Sequence, residues 1–237
     1  MRSAGIQSDF LYYSKKRDLL NHEESNVYIA DQDADIQRIL KKGRYDAIII
    51  TSDYRGMERF RKLGYKGKIL LEIQGYGPQA TARAEMKNAI PYVNQFCDGL
   101  LYPKTPHIGA IFNEFFPGTP TFGFNNCFDA DAFTYRALPK HPSPIIAWIG
   151  RLEDNKNWRE FLHIGHEMIK RKPGVQLYMF EDPSLSTPKE RQDFNTLKSI
   201  LKLDDHLHLL QNVPHSQMPH YFSRIGDSGG FLCCTSK

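Results

Sequence analysis

Ile145-Ile146-Ala147-Trp148-Ile149-Gly150-Arg151-Leu152-Glu153-Asp154-Asn155-Lys156-Asn157-Trp158 is the stretch on which the reading of this chain turns. Five apolar residues run into a glycine and then an arginine. A lysine follows five positions on, where Trp158, Phe161, Leu162, Gly165, Met168 and Ile169 start a helical stripe. A continuous apolar strand, a short loop and an amphipathic helix make the βα step of a parallel sheet covered on both faces. In such sheets ligands bind at the carboxyl ends of strands, and helix N-termini attract anions. One guanidinium and one ammonium on that loop suit a diphosphate: Arg151 can grip two oxygens bidentately, and Lys156 acts as a mobile point charge. The other reading pairs Arg151 and Lys156 with Glu153 and Asp154 on a solvated loop. Spacing alone leaves both open, because the sequence has no P-loop or G-x-G-x-x-G.

The same alternation extends in both directions. Downstream come a strand at Val175–Phe180, a helix carrying Phe194, Leu197, Ile200 and Leu201, a strand at His206–Leu210, a short helix with Met218, Tyr221 and Phe222, and a strand at Gly230–Cys234. Upstream, strands are expected at Asn26–Ala30, Ala47–Thr51, Lys68–Ile73 and Gly99–Tyr102. Between them Ile36, Ile39 and Leu40 form a stripe that ends at Gly43 as a left-handed stop, and Met57, Phe60 and Leu63 form one closed by Gly64. Ala82, Met86, Ala89, Ile90 and Val93 mark a long amphipathic helix, and Ile108, Ile111, Phe112 and Phe115 another. Pro139, Pro142 and Pro144 crowd one short run, which suits a linker. The expectation is an α/β chain of two tandem Rossmann-like domains with parallel sheets flanked by helices, residues 1–138 and 139–237.

Composition bounds the rest. A length of 237 residues suits one large domain or two small ones, and 12% aromatic residues exclude disorder. The net charge of +4 is modest, and Lys15-Lys16-Arg17, Lys41-Lys42 and Lys170-Arg171-Lys172 read as solvated faces rather than a nucleic-acid surface. No apolar run approaches the roughly 20 residues needed to span a bilayer, and Met1 to Leu20 has no signal-peptide core, so a cytoplasmic chain with at most peripheral membrane contact is expected. Cys97, Cys127, Cys233 and Cys234 lack C-x-x-C spacing and are expected as reduced thiols. His206, His208, His215 and His220 lack partners at ligand spacing, and Asp31, Asp33 and Asp35 read as helix N-terminal carboxylates rather than, with Glu23-Glu24, an acidic metal patch. No metal and no cofactor is expected.

The run Gly150-Arg151 through Lys156-Asn157 resembles the G-R-x-x-x-x-K-[GN] signature that opens the donor domain of family-four glycosyltransferases of the GT-B fold. Asn126-Cys127-Phe128-Asp129-Ala130-Asp131-Ala132-Phe133 resembles the family's N-G-[VI]-D-x-x-x-F segment before the interdomain linker, with Cys127 in place of glycine. Asn212-Val213-Pro214 through Ser223 is similar to the family's valine-led loop and "elpxxy" helix, and Thr235-Ser236-Lys237 resembles the serine-containing turn after it. The resemblance implies that Arg151 and Lys156 bind the donor's diphosphate and stabilise charge on the leaving nucleoside diphosphate without a metal. It implies that Gly150 keeps the backbone open for phosphates, with Asn157 closing the motif. Val213 falls where main-chain groups contact the nucleobase, an ordinary turn being the other reading. Gln74 falls where many members carry the histidine that faces the sugar, followed here by Gly75; Gly75 and Gly77 equally suit a plain turn.

The chain also departs from the family. Met1 to Phe10 offers neither the usual first strand nor the glycine-rich loop, and the family's E-x-x-x-x-x-x-x-E acidic pair, expected just after Lys237, is not in these residues. The implied function is a retaining glycosyltransferase using a nucleotide-sugar donor and an unknown glycan, lipid or protein acceptor, expected as a chain truncated within the donor domain and impaired in turnover. The alternative is a non-catalytic glycan- or partner-binding module of the same descent. Binding to nucleic acid is not expected.

Overall fold

The computed structural model describes residues 5–14, 25–126, 128 and 130–236. Lys15-Lys16-Arg17, Glu23-Glu24, Cys127, Asp129 and Lys237 lie outside the described residues. The chain divides into two compact units, Met1–Phe128 and Asp129–Lys237.

In the first unit β1 (Phe10–Tyr12) and β2 (Val27–Ile29) form a parallel pair. After α1 (Asp33–Gly43) the chain alternates β3 (Ala47–Thr51), α2 (Gly56–Lys62), β4 (Lys68–Glu72), α3 (Gln79–Phe96), β5 (Gly99–Pro103), α4 (Pro106–Phe115) and β6 (Thr121–Phe124). The last four strands make one parallel sheet in the order β3-β4-β5-β6. Ile69, Leu71 and Leu100 of the sheet are fully buried against Met57, Ala82, Met86, Ile108 and Phe112 of the helices. Burial contributes about 1.5–3 kcal/mol for each large side chain among these, which is what selects the apolar stripes seen in the sequence.

Two strands, β1 and β6, are not anticipated by the sequence reading. Both are short, and β6 is Thr121-Phe122-Gly123-Phe124, with a glycine inside it. The stop of α1 also differs. Gly43 is the last helical residue, and the left-handed residue is Arg44, at φ 48°. A Cβ at Gly43 would lie 2.1 Å from the Tyr45 ring, so a larger residue there would have to push that ring aside. Gly64 does take the left-handed conformation, at φ +88°.

The second unit runs β7 (Ile145–Ile149), α5 (Trp158–Arg171), β8 (Gln176–Glu181), α6 (Pro188–Ile200), β9 (Leu207–Gln211), α7 (Met218–Asp227) and β10 (Phe231–Cys233). All its strands are parallel, in the order β10-β7-β8-β9. β7 is buried on both faces, as its unbroken apolar run requires: Ile146 and Trp148 face the core with Trp158, Phe161, Leu162 and Phe194, while Ile145 and Ala147 join Phe180 and Ile225. The segment before the prolines belongs to this unit. Tyr135 Oη donates to Asp227 at 2.6 Å, Arg136 N–H to Ser223 Oγ at 3.0 Å and Leu138 N–H to Asp227 at 3.1 Å. By its contacts the division therefore falls at 128/129, ten residues ahead of the 138/139 that the prolines suggest. Among the described residues no helix is long and apolar enough to cross a membrane.

β10 lies close to β7 because Gly230 precedes it. A Cβ at Gly230 would fall 1.8 Å from the carbonyl oxygen of Ile145. Ser228 Oγ, buried beside it, accepts from Ile145 N–H at 2.9 Å and donates to Ile225 C=O at 2.6 Å. Gly230→Ala is expected to force the two strands apart and to cost about 3 kcal/mol, the upper range for overpacking. Urea unfolding followed by circular dichroism checks this, and an unchanged midpoint would show that the strands tolerate the methyl group.

Candidate functional site

β7 is the strand at which the second sheet changes direction. From β7 the chain moves through α5 to β8 and on to β9, then returns through α7 to lay β10 on the other side of β7. Such a switch point opens a crevice outside the carboxyl ends of the strands it separates. Gly150 to Asn157 emerge at the end of β7, and Cys234 to Ser236 at the end of β10.

The loop after β7 is built tightly. Gly150 N–H donates to Phe180 C=O at 3.1 Å, and a Cβ at Gly150 would lie 2.7 Å from the Trp148 ring. Glycine is needed here to fit under the indole. Leu152 is fully buried and anchors the loop in the core, leaving Arg151 and Glu153 on its outer side. Asp154–Lys156 form a single 3-10 turn, and Asn157 takes the left-handed conformation at φ 49° before α5 begins. The Asn157 side chain does not cap α5.

Both sequence readings of the cations meet here. Arg151 Nη2 lies 3.1 Å from Glu153 Oε2, with the arginine side chain 47% exposed, whereas among the described residues no ion pair engages Lys156 Nζ. An exposed pair of this kind contributes about 0–1 kcal/mol, so an incoming phosphate can displace it. Arg191 is held very differently. Its two guanidinium nitrogens each donate at 2.7 Å to Glu181, whose side chain is fully buried at the end of β8, and Gln211 Nε2 adds a third donor to the same carboxylate at 3.0 Å. Removing one partner of a buried pair costs about 3–5 kcal/mol, so Arg191 is a structural cation and Arg151 an available one.

A further tie joins the loop to β10. Trp148 Nε1 donates to Thr235 Oγ1 at 3.1 Å, and Thr235 Oγ1 lies 3.1 Å from Lys156 C=O and 3.0 Å from Asn157 C=O. Sequence reasoning placed Thr235 only in a turn resembling the family's, and it did not find the tie. Residues 87 and 78 positions apart carry no local signal of it.

Val213 follows β9, two strand spacings from β7, or about 10 Å. Its side chain packs against the cluster of Ile145, Ala147, Phe180 and Ile225. Among the described residues neither its N–H nor its C=O enters a backbone–backbone hydrogen bond. Phe133, from the segment before the linker, packs edge-on against His215 at 4.9 Å between ring centres. The histidines do not converge: His206 Nδ1 lies 3.0 Å from Val175 C=O and His208 Nε2 2.7 Å from Gln176. Among the described residues no three His, Cys, Asp or Glu side chains come together as a metal site.

In the first unit Gln74 is exposed at the carboxyl end of β4. Its Nε2 donates to Glu72 at 3.0 Å, and Thr51 Oγ1, from the neighbouring strand end, donates to the other oxygen of that carboxylate at 2.9 Å. Gly75 and Gly77 have φ of +150° and +67°, values that require glycine in this turn. Between them Tyr76 Oη donates to Ser52 C=O. Burial, followed by the negative charge of Glu85, pushes the Tyr76 phenol up to about 12.

These features define an α/β chain of the GT-B fold, with parallel, helix-flanked sheets in each unit. Among solved structures it is similar to sucrose-phosphate synthase from Thermosynechococcus elongatus, at TM-score 0.66 and 16% identity over 94% of this chain and 65% of that one. It is similar also to Anabaena HepE in complex with UDP-glucose (TM-score 0.66, 13% identity, 89% and 60% of the two chains) and to the trehalose-6-phosphate synthase OtsA (0.59, 13%, 81% and 53%). The chain thus spans less than two thirds of the length of each. No protein-family model matches it, and no curated protein matches it in sequence.

The raised Tyr76 pKa has a definite sign. The fold favours the neutral phenol, so its contribution to stability is complete below pH 10 and is lost as pH rises through about 12. Tyr76→Phe is expected to remove one late-titrating phenol from the phenolate absorbance curve and to flatten the fall in stability over that window. A loss taken from the main wave near pH 10 instead would show that this phenol ionises with the exposed tyrosines.

Proposed function

We propose that this chain is the nucleotide-sugar-binding part of a glycosyltransferase of the retaining, family-four type, acting on a glycan, lipid or protein acceptor in the cytoplasm. The observation that supports the reading is that the loop Gly150–Asn157, which carries Arg151 and Lys156, follows β7 at the switch point of the second sheet, ahead of the uncapped α5. Its support from related folds is that HepE was solved with UDP-glucose.

In this reading Arg151 leaves Glu153 and takes two oxygens of the donor diphosphate, and Lys156 adds a second positive charge. The bond from the anomeric carbon to the diphosphate breaks with its electrons going to the leaving oxygen, the acceptor oxygen bonds to that carbon and passes its proton to the departing phosphate, and both cations are aimed at the charge that develops there. No divalent ion is needed for that task. The α5 N-terminus adds its partial positive charge. Val213 offers its main-chain groups to the base. In the first unit taken by itself, Gln74, held by Glu72 beside Gly75, carries an amide suited to a sugar hydroxyl. A glutamine can bind that hydroxyl but cannot exchange a proton with it near neutral pH.

Thermal shift with UDP-, ADP- and GDP-sugars tests the assignment. At least one is expected to stabilise the chain, and Arg151→Ala is expected to abolish the shift. Glu153→Gln, which releases Arg151, is expected to tighten binding about two- to fivefold, the equivalent of a surface ion pair. A full shift retained in Arg151→Ala would sink the phosphate assignment. Incubation with radiolabelled sugar nucleotides separates an enzyme from a binding module: transfer or hydrolysis above a heat-killed control shows turnover.

A further inference from the structure

We infer that Thr235 is a positioning residue for the diphosphate loop, joined to it through Trp148, an inference that rests on the reading of Arg151 and Lys156 given above. The Trp148 indole is 1% exposed and carries a single N–H, which has no acceptor in an apolar core unless a polar group is brought to it. Thr235 Oγ1 supplies that acceptor at 3.1 Å. Its own single proton is shared between the carbonyls of Lys156 and Asn157, 3.1 and 3.0 Å away. N–H, O–H and C=O groups in series polarise one another, so the chain from indole to carbonyl is stronger than its separate bonds.

The geometry closes the loop at both ends with one side chain pair. The Trp148 ring covers Gly150, where a Cβ would meet it at 2.7 Å, and so fixes the first residue of the loop. Through Thr235 the same indole fixes the last two. Asn157 sits in the left-handed conformation, which a residue with a side chain adopts at a cost and keeps only when its surroundings hold it. Thr235 bonds that very peptide. Releasing it lets the 3-10 turn of Asp154–Lys156 unwind and moves the Lys156 backbone relative to Arg151. A diphosphate needs both charges at one spacing, so the hydroxyl of Thr235 tunes affinity without touching the ligand. It also couples the residues after β10 to the loop after β7.

The test uses Thr235→Val, which keeps the shape and removes the hydroxyl, and Thr235→Ser, which restores it. The sequence holds two tryptophans, so the indole N–H region of a ¹⁵N-correlation spectrum shows two peaks. In Thr235→Val the Trp148 peak is expected to move while that of Trp158, bonded to Glu190, stays in place. UDP and ADP affinity, measured by calorimetry, is expected to fall about five- to tenfold for the nucleotide that the wild-type chain binds, as for loss of one hydrogen bond at each end of the tie. Thr235→Ser is expected to recover both readouts. Trp148→Phe, which keeps a ring over Gly150 but lacks the N–H, is the second variant and is expected to lose about two- to fivefold. Wild-type binding with Thr235→Val within twofold of it, or failure of Thr235→Ser to recover affinity, overturns this inference alone. No binding of any nucleoside diphosphate by the wild-type chain overturns the diphosphate reading, and this one with it.

Discussion

The second unit depends on β7 having a strand on each side. A parallel strand paired on both edges and covered on both faces has no solvent contact for its side chains, which is why Ile145 to Trp148 are all buried and all apolar. Parallel pairing also sends every carboxyl end to one edge of the sheet. The chain has to leave β7 at that edge, and because β8 and β10 lie to either side, it leaves into the crevice between diverging connections. Two hydroxyls fasten the arrangement: Ser228 at the amino end, where β7 begins, and Thr235 at the carboxyl end, where β10 has passed.

The cations of this unit sort by solvation rather than by sequence neighbourhood. Arg191 is locked because its partner, Glu181, has no exposed side-chain surface, and both nitrogens and both oxygens are used. Arg151 pairs across two residues in water and keeps its freedom. The sheet therefore separates a cation that braces the strand ends from cations that can meet a ligand. It does so at the edge where α/β proteins bind ligands.

Much of this was legible because it is local. The strands β3 and β7 fall at the residues that the apolar runs suggest, and the helical stripes of α2, α3, α4 and α5 supply buried residues at the expected spacing. The Gly150–Lys156 loop announced itself by residue type. What stayed hidden is either too short or too distant. β1 and β6 have three and four residues, at most two full alternations. At Gly43 the near neighbour is the ring of Tyr45 two residues on, and where that ring folds back is not given by the helical stripe. The prolines drew attention from Tyr135 to Leu138, whose partners on α7 lie 87 to 92 positions away. The Glu181–Arg191 pair was not legible, because a charged side chain in sequence gives no sign of its burial.

The distribution of aromatic residues has an optical consequence. Trp148 and Trp158 both lie in the second unit, each with its indole buried among apolar side chains and its N–H hydrogen-bonded, while most of the tyrosines belong to the first. Emission excited at the red edge of the absorption band therefore comes from one half of the molecule. Denaturation of the two halves is spectrally separable in the unlabelled protein, so the cooperativity between them is open to direct measurement.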